Sequence, residues 1–154
     1  VSDMDVRIVK LEPMRVASAH AHSASPEGEA FDKLVSWARP KGLTDDLKTH
    51  RIFGFNNPNP SAGSPNYGYE FWMVVGQDVE PEGEIAAKDF AGGLYAVTRV
   101  VGVQNIHNKW KELVAWLEDS KYSGASHQWL EEHLSAVDAA PEEMVLDLYA
   151  PIAE

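Results

Sequence analysis

Apolar residues recur at i, i+3, i+4 and i+7 in two places: Phe31, Leu34, Val35 and Ala38, and again Trp110, Leu113, Val114 and Leu117. This spacing gathers each set on one helical face, so the pattern predicts two amphipathic helices of about three turns. The first also carries a start signal, with Ser25 as N-cap and Pro26 at the first helical position, where its missing N–H costs no hydrogen bond. Elsewhere β-branched and aromatic residues form short runs, among them Val6 to Leu11, Tyr69 to Val75, Ile85 to Phe90 and Leu146 to Ile152. Turn chemistry separates these runs, at Glu12-Pro13, at Gly92-Gly93 and through the polar stretch from Asn56 to Asn66. They read as strands.

The pattern is duplicated. RVASAHAHSASPEGEAFDKLVSWA from Arg15 aligns without a gap on LYAVTRVVGVQNIHNKWKELVAWL from Leu94, an offset of 79 residues, so that Leu34, Val35 and Trp37 recur as Leu113, Val114 and Trp116. Downstream, at an offset of 77, HRIFGFNN from His50 lies over HQWLEEHL from His127, and YEFWMVV from Tyr69 over LDLYAPI from Leu146. Upstream, Val6 to Leu11 falls over Ile85 to Phe90. Residues 1–154 therefore read as a single domain made of two repeats, about 5–76 and 83–152, each running strand, strand, helix, strand, strand. Antiparallel strands with the helices packed on one face make an α+β fold.

The opposite face is where chemistry can sit. Side chains alternate along a strand, so if Tyr69, Phe71, Met73 and Val75 cover the helix, Glu70 and Trp72 point away from it. The second repeat gives the same answer, with Leu146, Leu148 and Ala150 inward and Asp147 and Tyr149 outward. An acid followed two residues later by an aromatic is thus preserved by the internal symmetry. For the remaining strands, apolarity assigns Leu130 and Leu134, and Phe53 and Phe55, to the helix side, leaving Trp129, Glu131 and His133 on the open face. Carboxylates among π-faces suit a flat or lipophilic cation, through charge pairing and cation–π attraction. A solvated surface acid is the plainer reading of Glu70 alone, and its repetition is what argues for a ligand contact.

Composition narrows the classes. Thirteen basic against 24 acidic residues leave a net charge of −11, which repels phosphate backbones and anionic membrane surfaces, and no cluster of Lys or Arg supplies a basic patch. Direct nucleic-acid or membrane binding is not expected. With no cysteine there is no disulfide, thiolate metal site or cysteine nucleophile, and the N-terminus has no apolar signal core, so a cytoplasmic location is the expectation. His20 and His22 are two apart on a strand but find no third ligand in the sequence, and neither a metal nor a cofactor is expected. Asn56 to Asn66 is long for a hairpin connection and reads either as a mobile link or as a lid.

Four stretches, FGFNNP at Phe53 to Pro58, YGYEFW at Tyr67 to Trp72, GGLYAVTRVVG at Gly92 to Gly102, and LEEHL leading to LDLYAPI, resemble the GyrI-like small-molecule-binding domain, also found as the effector-binding half of AraC-type and MerR-type multidrug regulators. The resemblance covers roughly Val6 to Ile152. It implies two strand-helix-strand-strand repeats with a ligand cleft between them, and a partner that is a lipophilic, aromatic or cationic small molecule. The family's glutamate-x-tyrosine motif falls on Glu131 and His133. The ligand-binding set expected from the residues and the resemblance together is Glu70, Trp72, Tyr95, Trp129, Glu131, His133, Asp147 and Tyr149. An enzymatic branch of the family implies a second reading, a hydrolase of cyclopropane-bearing electrophiles with Glu131 and then Glu70 as the catalytic carboxylate. A gyrase-inhibitor-like interaction module is a third. No DNA-binding module is readable beside the two repeats, so the chain is expected to be a stand-alone form, and a homodimer is compatible with it.

Overall fold

The computed structural model describes residues 5–57 and 59–153; Pro58, which closes the FGFNNP stretch and lies within the 56–66 connection read as a mobile link or a lid, and the two ends of the 1–154 span fall outside it. In chain order the elements are β1 (Arg7–Leu11), β2 (Met14–Ser23), α1 (Pro26–Ala38), β3 (Ile52–Asn56), β4 (Tyr67–Val74), β5 (Ala86–Phe90), β6 (Gly93–Val101), α2 (Ile106–Glu118), β7 (Leu130–His133) and β8 (Val145–Pro151). Each sequence repeat is thus strand, strand, helix, strand, strand. The fold is α+β with mostly antiparallel pairing. Among the described residues, no helix is long and apolar enough to cross a membrane.

The chain forms two compact units, and these are not the same stretches as the repeats. The first unit is Met14–Phe90, with strand order β3-β4-β2-β5 and helix α1; the second is Val1–Pro13 with Ala91–Glu154, with order β1-β6-β8-β7 and helix α2. The leading strand of each repeat therefore pairs in the other repeat's unit: β1 on β6, and β5 on β2. Gly92, where the chain enters β6, has φ +82, and a Cβ there would be driven into the carbonyl oxygen of Leu11. Only glycine satisfies both demands.

In the first unit, small residues let α1 approach. Ala17, Ala19 and Ala21 of β2 share a sheet face with Met73, Phe71 and Tyr69 of β4, and all are buried beneath Ala30, Leu34 and Ala38. Phe31 meets the Phe71 ring edge-on at 5.1 Å between centroids. Ser25 occupies the N-cap and Pro26 follows it, but the Ser25 hydroxyl makes no capping bond; its backbone N–H donates instead to the Ser23 hydroxyl. In the second unit Leu113 of α2 joins Ala96, Val100, Leu146, Leu148, Ala150 and Ile152 in one cluster, with Trp110 and Trp116 packed against it. Seating two tryptophans shifts the buried face of α2, so Val114, expected inward, is 37% exposed.

Gly54 on β3 faces α1, under the rings of Tyr69 and Phe71; a Cβ would lie 2.6 Å from the Tyr69 hydroxyl and 2.9 Å from the Phe71 ring. Gly28 of α1 has open space around it. Gly54→Ala is therefore expected to destabilise the protein by about 1–3 kcal/mol through overpacking. Gly28→Ala should leave it unchanged or stabilise it by up to about 1 kcal/mol by removing backbone freedom from the unfolded chain. Chemical denaturation of the two variants beside the parent protein measures both, and equal midpoints would refute the packing role given to Gly54.

Candidate functional site

The far face of each sheet, away from its helix, carries one deeply buried carboxylate on the strand that closes each repeat. In the first unit this is Glu70, 1% exposed, with Trp72 beside it on the same face of β4. Glu70 Oε2 accepts from the Ser18 hydroxyl (2.6 Å), the Trp72 indole N–H (2.6 Å) and the Lys88 ammonium (2.7 Å), and Oε1 accepts from the Asn57 amide (2.9 Å). Burial alone would raise its pKa. The hydrogen bonds from Lys88, Ser18, Asn57 and Trp72 outweigh burial and hold the carboxyl below the usual carboxylate range. Glu70 is therefore an ion paired inside the sheet face rather than a solvated surface acid.

Aromatic rings surround it. Trp72 meets Phe55 edge-on at 4.7 Å and Phe90 at 5.2 Å. This corrects an expected orientation: Phe53 and Phe55 register opposite Trp72 and Glu70 and so belong to the far face, while Ile52 and Gly54 turn toward the helix. Large apolar side chains had been assigned to the helix, but the space beneath α1 is already filled by Tyr69 and Phe71, and only Gly54 fits there. Asn57 also fixes the start of the connection to β4, because its backbone oxygen contacts His20 Nε2 at 2.6 Å.

In the second unit Asp147, 3% exposed, is held between Arg99 (Nε to Oδ1, 2.9 Å) and Arg7 (2.7 Å to Oδ2). The arginines come from β6 and β1, just as Lys88 comes from β5. In both units, then, the strand that has crossed over from the other repeat delivers a cation to the buried acid. Further along this face the Tyr149 hydroxyl donates to Glu132 Oε1 at 2.6 Å, and Tyr149 meets Tyr95 edge-on at 5.4 Å. Tyr95 is fully buried, donates to the Gln128 carbonyl and packs against His127; burial pushes its hydroxyl pKa up.

The orientation of β7 needs the same correction as β3. Leu130 and Glu132 register opposite Tyr149 and Asp147, which places them on the far face; Glu131 and His133 register opposite Leu148 and Leu146 and face the helix side. Glu131 accepts from the Trp110 indole of α2 at 2.7 Å, and Trp129, 43% exposed, leans on the same Trp110 ring at 5.6 Å. Leu130 is buried without the helix, so its apolarity was no guide to which way β7 faces. His133 retains some exposed surface as a residue, but its Nδ1 lies out of water and burial lowers its pKa to about 4. It is neutral at pH 7.

Of the expected residues, the structure brings Glu70 and Trp72 together, and Tyr95, Asp147 and Tyr149 together on the far face of the second unit. Trp129, Glu131 and His133 lie on its helix side. Sequence reasoning missed Lys88, Ser18 and Asn57 around Glu70, Arg7 and Arg99 around Asp147, and Glu132 beside Tyr149. One signal was present: the repeat lays His20 over Arg99, and each stands directly across from the acid of its own unit.

The sequence profile of the integron-associated effector-binding proteins called Cass2 matches residues 7–152. The chain belongs to the Cass2 family. It is a GyrI-like effector-binding domain, and the Cass2 fold recurs in solved structures at low identity. The C-terminal domain of EcmrR superposes with a TM-score of 0.70 at 16% identity, covering 99% of each chain. In the EcmrR–DNA complex the TM-score is 0.72 at 14% identity, and the match covers 97% of this chain but only 57% of the longer EcmrR chain. SAV2435 bound to tetraphenylphosphonium gives 0.59 at 12%, covering 97% of this chain and 94% of that one. A hydrolase from Listeria innocua gives 0.66 at 13%, covering 99% and 94%. No curated protein matches by sequence.

The state of His133 gives a pH dependence. Its folded pKa, about 4, lies below the unfolded value near 6.5, so on acidification the unfolded chain takes up a proton that the folded chain refuses. Its contribution is complete above pH 6.5, and up to about 3 kcal/mol is lost between pH 6.5 and 4. Glu70 acts lower: its stabilisation is present above the unfolded carboxylate pKa and is lost as pH falls through the depressed folded value. Thermal midpoints recorded from pH 7 to 4 should fall for the parent protein and stay nearly flat over this interval for His133→Leu; parallel curves would rule the assignment out.

Proposed function

We propose that the protein binds lipophilic, aromatic or cationic small molecules through the far-face aromatic rings and the carboxylates embedded among them. The observation that carries this reading is Glu132: a carboxylate only 4% exposed, hydrogen-bonded by Tyr149 on the face that also carries Tyr95. A buried acid beside π-faces favours a cation that is itself poorly hydrated, since such a cation loses little on leaving water. Membership of an effector-binding family supports the reading, as does a structural relative solved with tetraphenylphosphonium, a cation of this type. In this assignment Glu132 takes the charge-pairing role that sequence gave to Glu131, while Tyr95 and Tyr149 supply aromatic surface.

Calorimetric titration with tetraphenylphosphonium should give saturable binding, and Glu132→Gln should weaken it by about tenfold or more, in line with losing a charged partner. The neutral triphenylphosphine oxide should bind more weakly and respond little to the substitution. Absence of binding to any lipophilic cation would reject this reading.

A second reading is hydrolysis of strained, cyclopropane-bearing electrophiles, favoured by the structural relative that is a hydrolase. Glu131 and Glu70 are its candidate catalytic carboxylates. Glu131, which accepts from Trp110, would take the proton from water in this reading; Glu70, already carrying four donors, is the poorer base. Product formation from such a substrate, lost in Glu131→Gln with the fold intact, is the expected result, and binding without product over a long incubation would exclude it.

A further inference from the structure

Glu70 and Asp147, the buried acids at matching positions of the two repeats, are neutralised in unequal ways. Asp147 is held by two guanidinium groups that together engage both of its oxygens. Glu70 receives three neutral donors, from Ser18, Asn57 and Trp72, and a single charged one, Lys88. Neutral donors orient a carboxylate without cancelling its charge, so the electrostatic balance at Glu70 rests on one ammonium group.

That ammonium is poorly anchored. Lys88 lies on β5, the end strand of its unit, and its side chain is 46% exposed although Glu70 is almost wholly buried. A lysine is a compact charge on a flexible stem and regains rotamer freedom when released, whereas an arginine pair on a carboxylate is held by several directional bonds. The Lys88 side chain can swing into water without disturbing the β2–β5 ladder. What it would leave behind is a fixed, hydrogen-bonded anion beside Trp72, which itself packs on Phe55 and Phe90. Such a place suits a weakly hydrated organic cation better than a small hydrated one.

We propose that Lys88 is a displaceable internal occupant of a cation site formed by Glu70, Trp72, Phe55 and Phe90, and that an organic cation binds there by expelling the Lys88 ammonium. Lys88 then sets specificity. A ligand must out-compete a tethered cation, so inorganic ions and neutral aromatics are rejected and cations with large apolar surface are admitted. The inference rests on the small-molecule-binding reading above, but concerns residues of the first unit alone and stands or falls separately from Glu132.

The experiment is calorimetric titration of tetraphenylphosphonium into the parent protein, Lys88→Met, Glu70→Gln and the double variant. Lys88→Met keeps the apolar stem and removes the competitor, so its affinity should rise up to about fivefold, as expected for removing a partly exposed ion pair from the competition. The gain should vanish in the double variant and be absent for triphenylphosphine oxide. Should Lys88→Met fold poorly, the parent protein with reductively ¹³C-methylated lysines gives the answer by NMR: at saturation the Lys88 signal should move toward those of solvent-exposed lysines. Parent protein that binds the cation with an unmoved Lys88 signal, or a folded Lys88→Met that binds no more tightly, overturns the inference and leaves the small-molecule reading standing. No binding by either protein overturns both, and binding by Lys88→Met alone supports the occupant role.

Discussion

A carboxylate withdrawn from water costs several kcal/mol unless charge and hydrogen bonds replace its hydration. The structure meets that demand with charged partners at Glu70 and at Asp147, the same position in the two sequence repeats. Much of each unit's sheet is organised around the solution. Around Glu70 the partners come from β2, β4, β5 and the residue just beyond β3; around Asp147 they come from β1 and β6. A slip of one residue in any of these strands would turn the partner to the wrong face and leave an ion buried alone. The acids therefore fix register as well as charge, and they reach the edge strand of each sheet, which backbone pairing holds from one side within its unit.

This arrangement also separates global from local electrostatics. The chain carries a net charge of −11, yet the buried Glu70 and Asp147 each sit beside basic side chains. Long-range repulsion keeps polyanions away, while the short-range environment is decided by which cation sits on which carboxylate. A fold shared with proteins at 12–16% identity leaves such choices to individual side chains, and function follows those choices rather than the scaffold.

The sequence was readable where one physical demand dominated. Both helices, the strand order within each repeat and the placement of Glu70 and Trp72 away from α1 followed from periodicity and from the duplication. It misled where apolarity alone assigned a face. Phe53, Phe55, Leu130 and Leu134 were given to the helices because they are greasy, but both faces of these sheets bury apolar surface, so hydrophobicity carries no sign there. The consequence was an inversion of β3 and β7 together, which exchanged Glu131 for Glu132. Lys88 and Arg7 were hidden for another reason: they lie on the strands that cross between repeats, and no local pattern discloses which sheet a strand will join.

That crossing has a consequence for how the chain is made. During vectorial synthesis β1 emerges before the rest of this domain, but its pairing partner, β6, follows more than eighty residues later. The first unit can close once β5 has left the ribosome, whereas the N-terminal strand must wait, unpaired, until the second repeat supplies an edge for it. High sequence separation between partners slows folding, and an unpaired strand is an invitation to mispairing. The charged residues of β1, Arg7 and Lys10, make the waiting strand a poor template for aggregation, and one of them becomes the partner of Asp147 when folding is complete.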